Sequence, residues 1–210
     1  MSYIRMVFLA ALAVSSAAFA ATPVNTTFYE PAYVVGSPSA KVTVEEYASP
    51  TCPHCARFDA QIYPQIKQKY VDSGRVKFVF REYLTEPVAL AASSYIVARC
   101  AGKSNYYKFI EDVFKSQAEM ASGKPGSEPV LVLMRIAKTY GLDSDKFHAC
   151  LADPKAVSSL GERLDHAISV DNVDGTPTVI VNGKKIDPGL GEWTMDKIAP
   201  AIEQALQIGH

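Results

Sequence analysis

The sequence predicts an α/β fold, and three stretches carry that reading. Val42 to Tyr47 and Val76 to Tyr83 are β-rich runs separated by a helical stretch, Phe58 to Tyr70, the order of a βαβ unit with parallel strands. From Glu86 to Asp171 the apolar residues recur at helical spacing throughout. Thr178 to Val181 and Lys184 to Ile186 then read as two short strands joined by Asn182-Gly183, a strong two-residue hairpin signal.

Taken in order, the chain opens with a leader. Arg5 precedes an apolar run from Met6 to Val14, and Ala18-Phe19-Ala20 is a small-x-small cleavage pattern. Residues 1–20 are read as a cleavable export signal; the run is shorter than a membrane span, and an uncleaved anchor is the alternative. About 190 residues remain, enough for one domain with a sizeable core. Of the 21 basic side chains only Arg5 is in the leader, so 20 face 22 acidic ones. That balance argues against nucleic acid or a charged membrane surface as partner. Residues 21–40 are an exposed lead-in rich in Pro, Ser and Thr, with room for a short strand at Tyr33 to Val35. Asn25-Thr26-Thr27 fits a glycosylation acceptor, a frequent chance match that is discounted.

Lys41 to Ala48 alternates and then turns apolar, as a partly buried strand does, with Glu46 as its odd member. Phe58, Ile62 and Ile66 form one stripe of the following helix, Pro64 should kink it, and Gly74 ends it. Val76, Phe78 and Phe80 share a face of the next strand. Five helices follow by periodicity: Val88, Ala92, Ile96 and Cys100, ended by Gly102; Tyr107, Ile110 and Phe114; after a polar loop from Ala121 to Pro129, Leu133, Ile136 and Tyr140; Phe147, Cys150 and Leu151; and Val157, Leu160, Leu164 and Ile168. Gly141 is placed as a C-terminal cap and Asp143 as an N-cap. After a loop at Asp187 to Gly191 and an N-cap at Thr194, Met195, Ile198, Ile202 and Leu206 mark the last helix.

Cys52-Pro53-His54-Cys55 sits where the first strong strand turns into its helix. A helix N-terminus favours an anion, and the thiolate is the reactive form of cysteine, so Cys52 reads as an exposed nucleophile and Cys55 as the less exposed resolving thiol. Pro53 suits the first helical turn, where its missing N–H costs nothing. His54 can carry positive charge beside the sulfur. A stabilised reduced form makes a disulfide that is readily given away. The alternatives are a structural disulfide or half of a zinc site, but no second C-x-x-C or H-x-x-H run supplies further ligands. No metal site is expected.

With Glu46 ahead of this motif and Gly175-Thr176-Pro177-Thr178 far downstream, the chain resembles the DsbA family of thioredoxin-fold oxidoreductases. The resemblance implies a thioredoxin fold at residues 41–86 and 172–210 and an inserted helical domain at 87–171. It implies a thiol:disulfide oxidoreductase of the periplasm that introduces disulfides into reduced exported proteins and is recharged by a DsbB-like, quinone-linked membrane oxidase. No cofactor is implied, since the dithiol is the redox centre. By the same resemblance Pro177 is a cis-proline beside Cys52, the Thr176 backbone hydrogen-bonds an extended substrate, and Glu46 moves protons beneath the disulfide. A solvated strand-end glutamate is the plainer reading of Glu46. Valine commonly stands at the position of Thr176 in this family and threonine in disulfide isomerases, so an isomerase or reductase kept reduced is the first alternative; a thiol-based metal chaperone and a cysteine-independent folding chaperone are others. Residues 22–40 are too short for the dimerising domain of related isomerases, so a monomer is expected.

Four cysteines allow three pairings. Cys52 with Cys55 leaves Cys100 with Cys150, read as a structural disulfide on the apolar faces of two helices; a second redox pair and two buried free thiols are the alternatives. His148 and His166 read as surface residues and Trp193 as a packing residue.

Overall fold

The computed structural model describes residues 33–208. The leader, the Asn25 sequon and His210 lie outside the described residues. Among the described residues, no helix is long and apolar enough to cross a membrane.

Strand β1 (Tyr33–Val35) runs antiparallel to β3 (Val76–Glu82), and β3 runs parallel to β2 (Val42–Ala48), with Glu46 opposite Phe80 and Ala48 opposite Glu82. On the other side of β2, β4 (Thr178–Val181) is antiparallel and carries β5 (Lys184–Lys185) as the hairpin edge, giving the order β1-β3-β2-β4-β5. Asn182 and Gly183 both have positive φ, 46° and 78°. That is the turn whose twist matches a hairpin, and glycine tolerates it without penalty. All four residues of β4 are buried, so this short strand is central in packing as well as in order.

Between β2 and β3 the helix is interrupted as Pro64 requires. Helix α1 (Pro53–Gln61) ends against Ile62, a short α2 (Tyr63–Ile66) has Pro64 in its first turn, and Lys67–Val71 continues as one π-helical turn. Proline has no N–H and its ring crowds the carbonyl four residues back, so the break falls just before it.

Five helices, α3 (Val88–Cys100), α4 (Tyr106–Met120), α5 (Pro129–Thr139), α6 (Ser144–Leu151) and α7 (Pro154–Ser169), lie between β3 and β4, and α8 (Met195–Ile208) closes the chain. Asp143 caps α6 by accepting from the Lys146 N–H at 3.0 Å. Gly141, at φ 79°, ends α5 while the Leu142 N–H bonds the Ala137 carbonyl at 3.1 Å, the pattern of a glycine C-cap. The core joins the α1 face of the sheet to α3, α4 and α5; a smaller cluster of Tyr47, Ala167, Val173 and Ile180 fills the other face.

Two predicted stripes are displaced. In α3 the buried residues are Ala91 and Ser94 to Ala98, while Val88 and Cys100 are exposed. In α7, Val157 and Ile168 are exposed and the buried positions are Leu160 and Ala167. Each of these helices sends an arginine to one buried carboxylate. Arg99 and Arg163 both reach Glu82 at the end of β3, and Arg163 keeps only 11% of its side chain exposed. His166 is half-buried rather than on the open surface, 3.5 Å from the Asp171 carboxylate.

Candidate active site

The site is built at the C-terminal end of β2. A turn closed by the Cys52 N–H on the Ser49 carbonyl (3.0 Å) leads into α1. Ser49 is fully buried; its hydroxyl lies 3.1 Å from that of Thr51 and accepts the Thr85 N–H at 3.1 Å, tying the turn to the chain leaving β3. Gln117 of α4 donates to the carbonyls of Pro50 (2.8 Å) and Cys52 (3.1 Å). Cys52 is itself the N-cap of α1, its sulfur accepting the Cys55 N–H at 3.4 Å, and Pro53 fills the first helical position.

Cys52 and Cys55 are both free thiols and both buried; at 6% exposure Cys52 is not the exposed sulfur that its place at the helix start predicts, because the loop carrying Thr176 lies against it. The Cys52 thiol is lowered to about 5, first by the hydrogen bond from the Cys55 thiol, then, against the opposing effect of burial, by Thr176 and the main-chain N–H groups of Cys55 and His54. The thiol of Cys55, fully buried, is pushed well above its ordinary value, by burial first and then by Cys52 and Glu46. One sulfur is held as an anion at neutral pH and the other as a thiol.

The contribution of His54 differs from the sequence expectation. Its ring Nδ1 lies 3.0 Å from Glu192 and 2.8 Å from the Arg57 guanidinium, out on the exposed side; the part of His54 that lowers the Cys52 thiol is its main-chain N–H. The acidic partner in the loop before α8 draws the ring outward, which no local pattern in the motif announces.

The Thr176–Pro177 peptide bond is cis. Cys52 Sγ is 3.5 Å from the Thr176 carbonyl. The Thr176 hydroxyl is buried with no other partner among the described residues, which leaves it able to turn to a thiolate. Trp193, expected only to pack, does so edge-on against Phe58 (ring centroids 6.3 Å) and also donates its indole N–H to the Pro177 carbonyl at 3.1 Å. It therefore links α1 to the cis-proline loop. A cleft of about 310 Å³ opens there, lined by His54, Thr176, Pro177, Glu192 and Trp193.

Beneath the cysteines lies Glu46, 1% exposed, with neither carboxyl oxygen hydrogen-bonded. This excludes a solvated strand-end glutamate. Burial, then the nearby Asp59 and Cys52 charges, push its carboxyl well above the ordinary range. A buried carboxyl without a partner stays neutral or exchanges its proton with a neighbour. Asp59, one turn past Cys55, is also buried and accepts the Tyr107 hydroxyl at 2.6 Å. The other cysteines, Cys100 and Cys150, are bonded across 6.3 Å between Cα atoms, joining the end of α3 to α6; Cys150 is buried and Cys100 exposed. Among the described residues no group of three or more His, Cys, Asp or Glu could hold a metal ion.

Gln117, Trp193 and Asp59 were not singled out from sequence as site residues. Asp59, four residues after Cys55 on the same helical face, is the one whose spacing carried a usable signal.

Known proteins share this fold. The family model described as thioredoxin matches residues 29–203. A Rickettsia bellii protein named as a protein-disulfide oxidoreductase is 31% identical over 174 residues, which are 83% of this chain and 64% of that protein, so the chain spans less than two thirds of that relative. The crystal structure of Wolbachia pipientis alpha-DsbA1 superposes with a TM-score of 0.70 at 25% identity, covering 84% of this chain and 91% of that one. Oxidised BdbD from Bacillus subtilis gives 0.69 at 25% identity, covering 83% and 92%. The chain belongs to the thioredoxin family, and its fold is that of the DsbA-like members.

Proposed function

We propose that the chain is a thiol:disulfide oxidoreductase that introduces disulfides into exported proteins, acting in the periplasm and recharged by a quinone-linked membrane oxidase of the DsbB kind. The observation that carries this reading is geometric: the Cys52 sulfur caps α1 beside the cis Thr176–Pro177 bond, with Cys55 fully buried behind it, a setting that lowers the Cys52 thiol and raises that of Cys55. In the proposed reaction a substrate thiolate attacks Cys52 of the Cys52–Cys55 disulfide. A bond forms between the substrate and Cys52, and Cys55 leaves with the electron pair. The second substrate thiolate then attacks the bridged substrate sulfur, and Cys52 departs as a stable thiolate, which makes it a good leaving group. The Thr176 backbone, beside Cys52 on the cis-proline loop, would hold an extended substrate by strand-like hydrogen bonds.

The buried Thr176 hydroxyl favours a second reading, an isomerase or reductase kept in its dithiol form, because a donor beside Cys52 changes release of the mixed disulfide. Oxidative refolding of one substrate, supplied fully reduced or disulfide-scrambled, separates the two. Fast oxidation of the reduced form with little rescue of the scrambled one supports the oxidase. Efficient rescue of the scrambled form supports the isomerase. Cys52→Ser should abolish both, and full activity in that variant defeats the redox reading altogether.

A further inference from the structure

Two residues stand between the cysteines, and the side chain of the second is held by a distant part of the chain. His54 Nδ1 lies 3.0 Å from Glu192 Oε2, and the Arg57 guanidinium reaches Glu192 Oε1 at 2.6 Å and His54 Nδ1 at 2.8 Å. Nδ1 can serve one of these partners at a time. Carrying a hydrogen, it donates to Glu192; without one, it accepts from Arg57. In either state the ring is engaged in this cluster, while it is the main-chain N–H of His54 that acts on Cys52. Asp174, the other acid lining the cleft, is committed to Lys185 at 2.6 Å.

Glu192 is not a loose surface acid. Lys197 of α8, half-buried, donates to the carbonyls of Leu190 and Glu192, both at 2.7 Å. Next in the chain, Trp193 donates to the Pro177 carbonyl and packs on Phe58. The loop is thus pinned to α8 on one side and to the cis-proline loop and α1 on the other, which sets its carboxylate beside the first turns of α1. Arg57 first, then His54, hold that carboxyl below its ordinary range, so it is charged at neutral pH. We propose that Glu192 is a positioning residue that limits how strongly oxidising the Cys52–Cys55 disulfide is, by keeping the His54 ring off the Cys52 thiolate. Without Glu192 the ring is free to offer an N–H to the sulfur, and one negative charge has left the neighbourhood. Both changes favour the thiolate, hence the reduced protein, and make the disulfide easier to give away. The ion pairs are exposed, so the effect is a few-fold and not orders of magnitude. Glu192 acts through His54 and touches neither sulfur.

This rests on the dithiol reading, but its test needs no protein substrate. In a glutathione redox buffer two glutathione thiols reduce the Cys52–Cys55 disulfide and join as glutathione disulfide. Cys55 ends as a thiol, Cys52 as a thiolate, and one proton goes to solvent. The reduced fraction is read by thiol alkylation and mass, which no change beside Trp193 disturbs, and the Cys52 titration by thiolate absorbance. Glu192→Ala should shift the equilibrium about threefold toward the reduced protein, about 14 mV for this two-electron couple. It should also move the Cys52 titration below its value of about 5. Glu192→Gln, whose amide oxygen still accepts from Arg57, should shift both by less, and Glu192→Asp should return them toward wild type. In a His54→Ala background the Glu192→Ala shift should fall to less than half on a logarithmic scale. Wild-type values in Glu192→Ala, a shift the other way, or half or more of the shift surviving in His54→Ala would overturn the proposal. A wild-type chain that does not exchange with glutathione defeats the dithiol reading itself, whereas exchange with no shift in Glu192→Ala defeats only the role of Glu192.

Discussion

Glu46 and Glu82 are two buried carboxyls on neighbouring parallel strands, with side chains on the same sheet face; in register Glu46 is opposite Phe80 and Glu82 opposite Ala48. Their exposures are 1% and 3%. Glu82 accepts from Arg99 Nε at 2.7 Å, from the Tyr106 hydroxyl at 2.8 Å and from Arg163, which fastens α3, α4 and α7 to the end of β3. Among the described residues, Glu46 accepts from nothing. Depth alone therefore says little about what a buried acid is for. The donors around it decide whether it is a fixed anchor or a group free to exchange a proton.

The difference can be broken from the anchor side first. Glu82→Ala strands two arginines and should cost about 3–5 kcal/mol in urea unfolding, as expected when one partner of a buried ion pair is removed. A loss under 1 kcal/mol would make the cluster ornamental. Replacing both Cys100 and Cys150 by alanine tests whether the anchor depends on the neighbouring crosslink. With the bonded cysteines 50 positions apart in sequence, the loss should approach about 4 kcal/mol on the chain-entropy model. Disruption of the Arg99–Glu82 contact in that variant would tie the two features together.

From the other side, Glu46→Leu should stabilise the reduced protein by about 1–3 kcal/mol at neutral pH, because it removes a buried acid with no partner. The sign follows from the raised carboxyl. Above its ordinary value of 4.5 the unfolded chain ionises Glu46 while the folded chain keeps it protonated, so wild-type stability falls as pH rises through that range. The gain from Glu46→Leu should therefore shrink as pH drops below about 4.5, and a pH-independent gain would show that packing is its source.

For Cys52 the sign is opposite. Its lowered thiol stabilises the reduced form most fully above the ordinary thiol value, by about 2 kcal/mol at pH 7 after solvent screening, and that advantage is lost as pH falls through about 5. Thr176→Val should have the smallest effect, raising the Cys52 titration by up to about one unit as thiolate absorbance reports it. No movement would confine the lowering to the Cys55 thiol and the main-chain donors.

These differences explain what was legible in the sequence. The cysteine motif and the Asn182-Gly183 turn depend on local backbone geometry, which adjacent residues encode, whereas the cis-proline at Pro177 was read only from the family resemblance. Glu46 stood out because a carboxylate interrupts an apolar strand. The buried faces of α3 and α7 depart from their periodicity, and that pattern is also blind to Arg99 and Arg163 converging on Glu82 from 17 and 81 residues away. Gln117 and Trp193 reach the site by bonds to main-chain carbonyls, which any side-chain pattern leaves invisible. The outward turn of His54 needed Glu192, 138 residues distant.

The outer strand β5 has a further consequence. It is only two residues long, and both are exposed lysines. An unpaired strand edge is a template for any extended chain, and short, positively charged edges are poor templates. So guarded, the hairpin side of the sheet is a poor place for a further strand to add, and growth of the sheet by strand addition is blocked there.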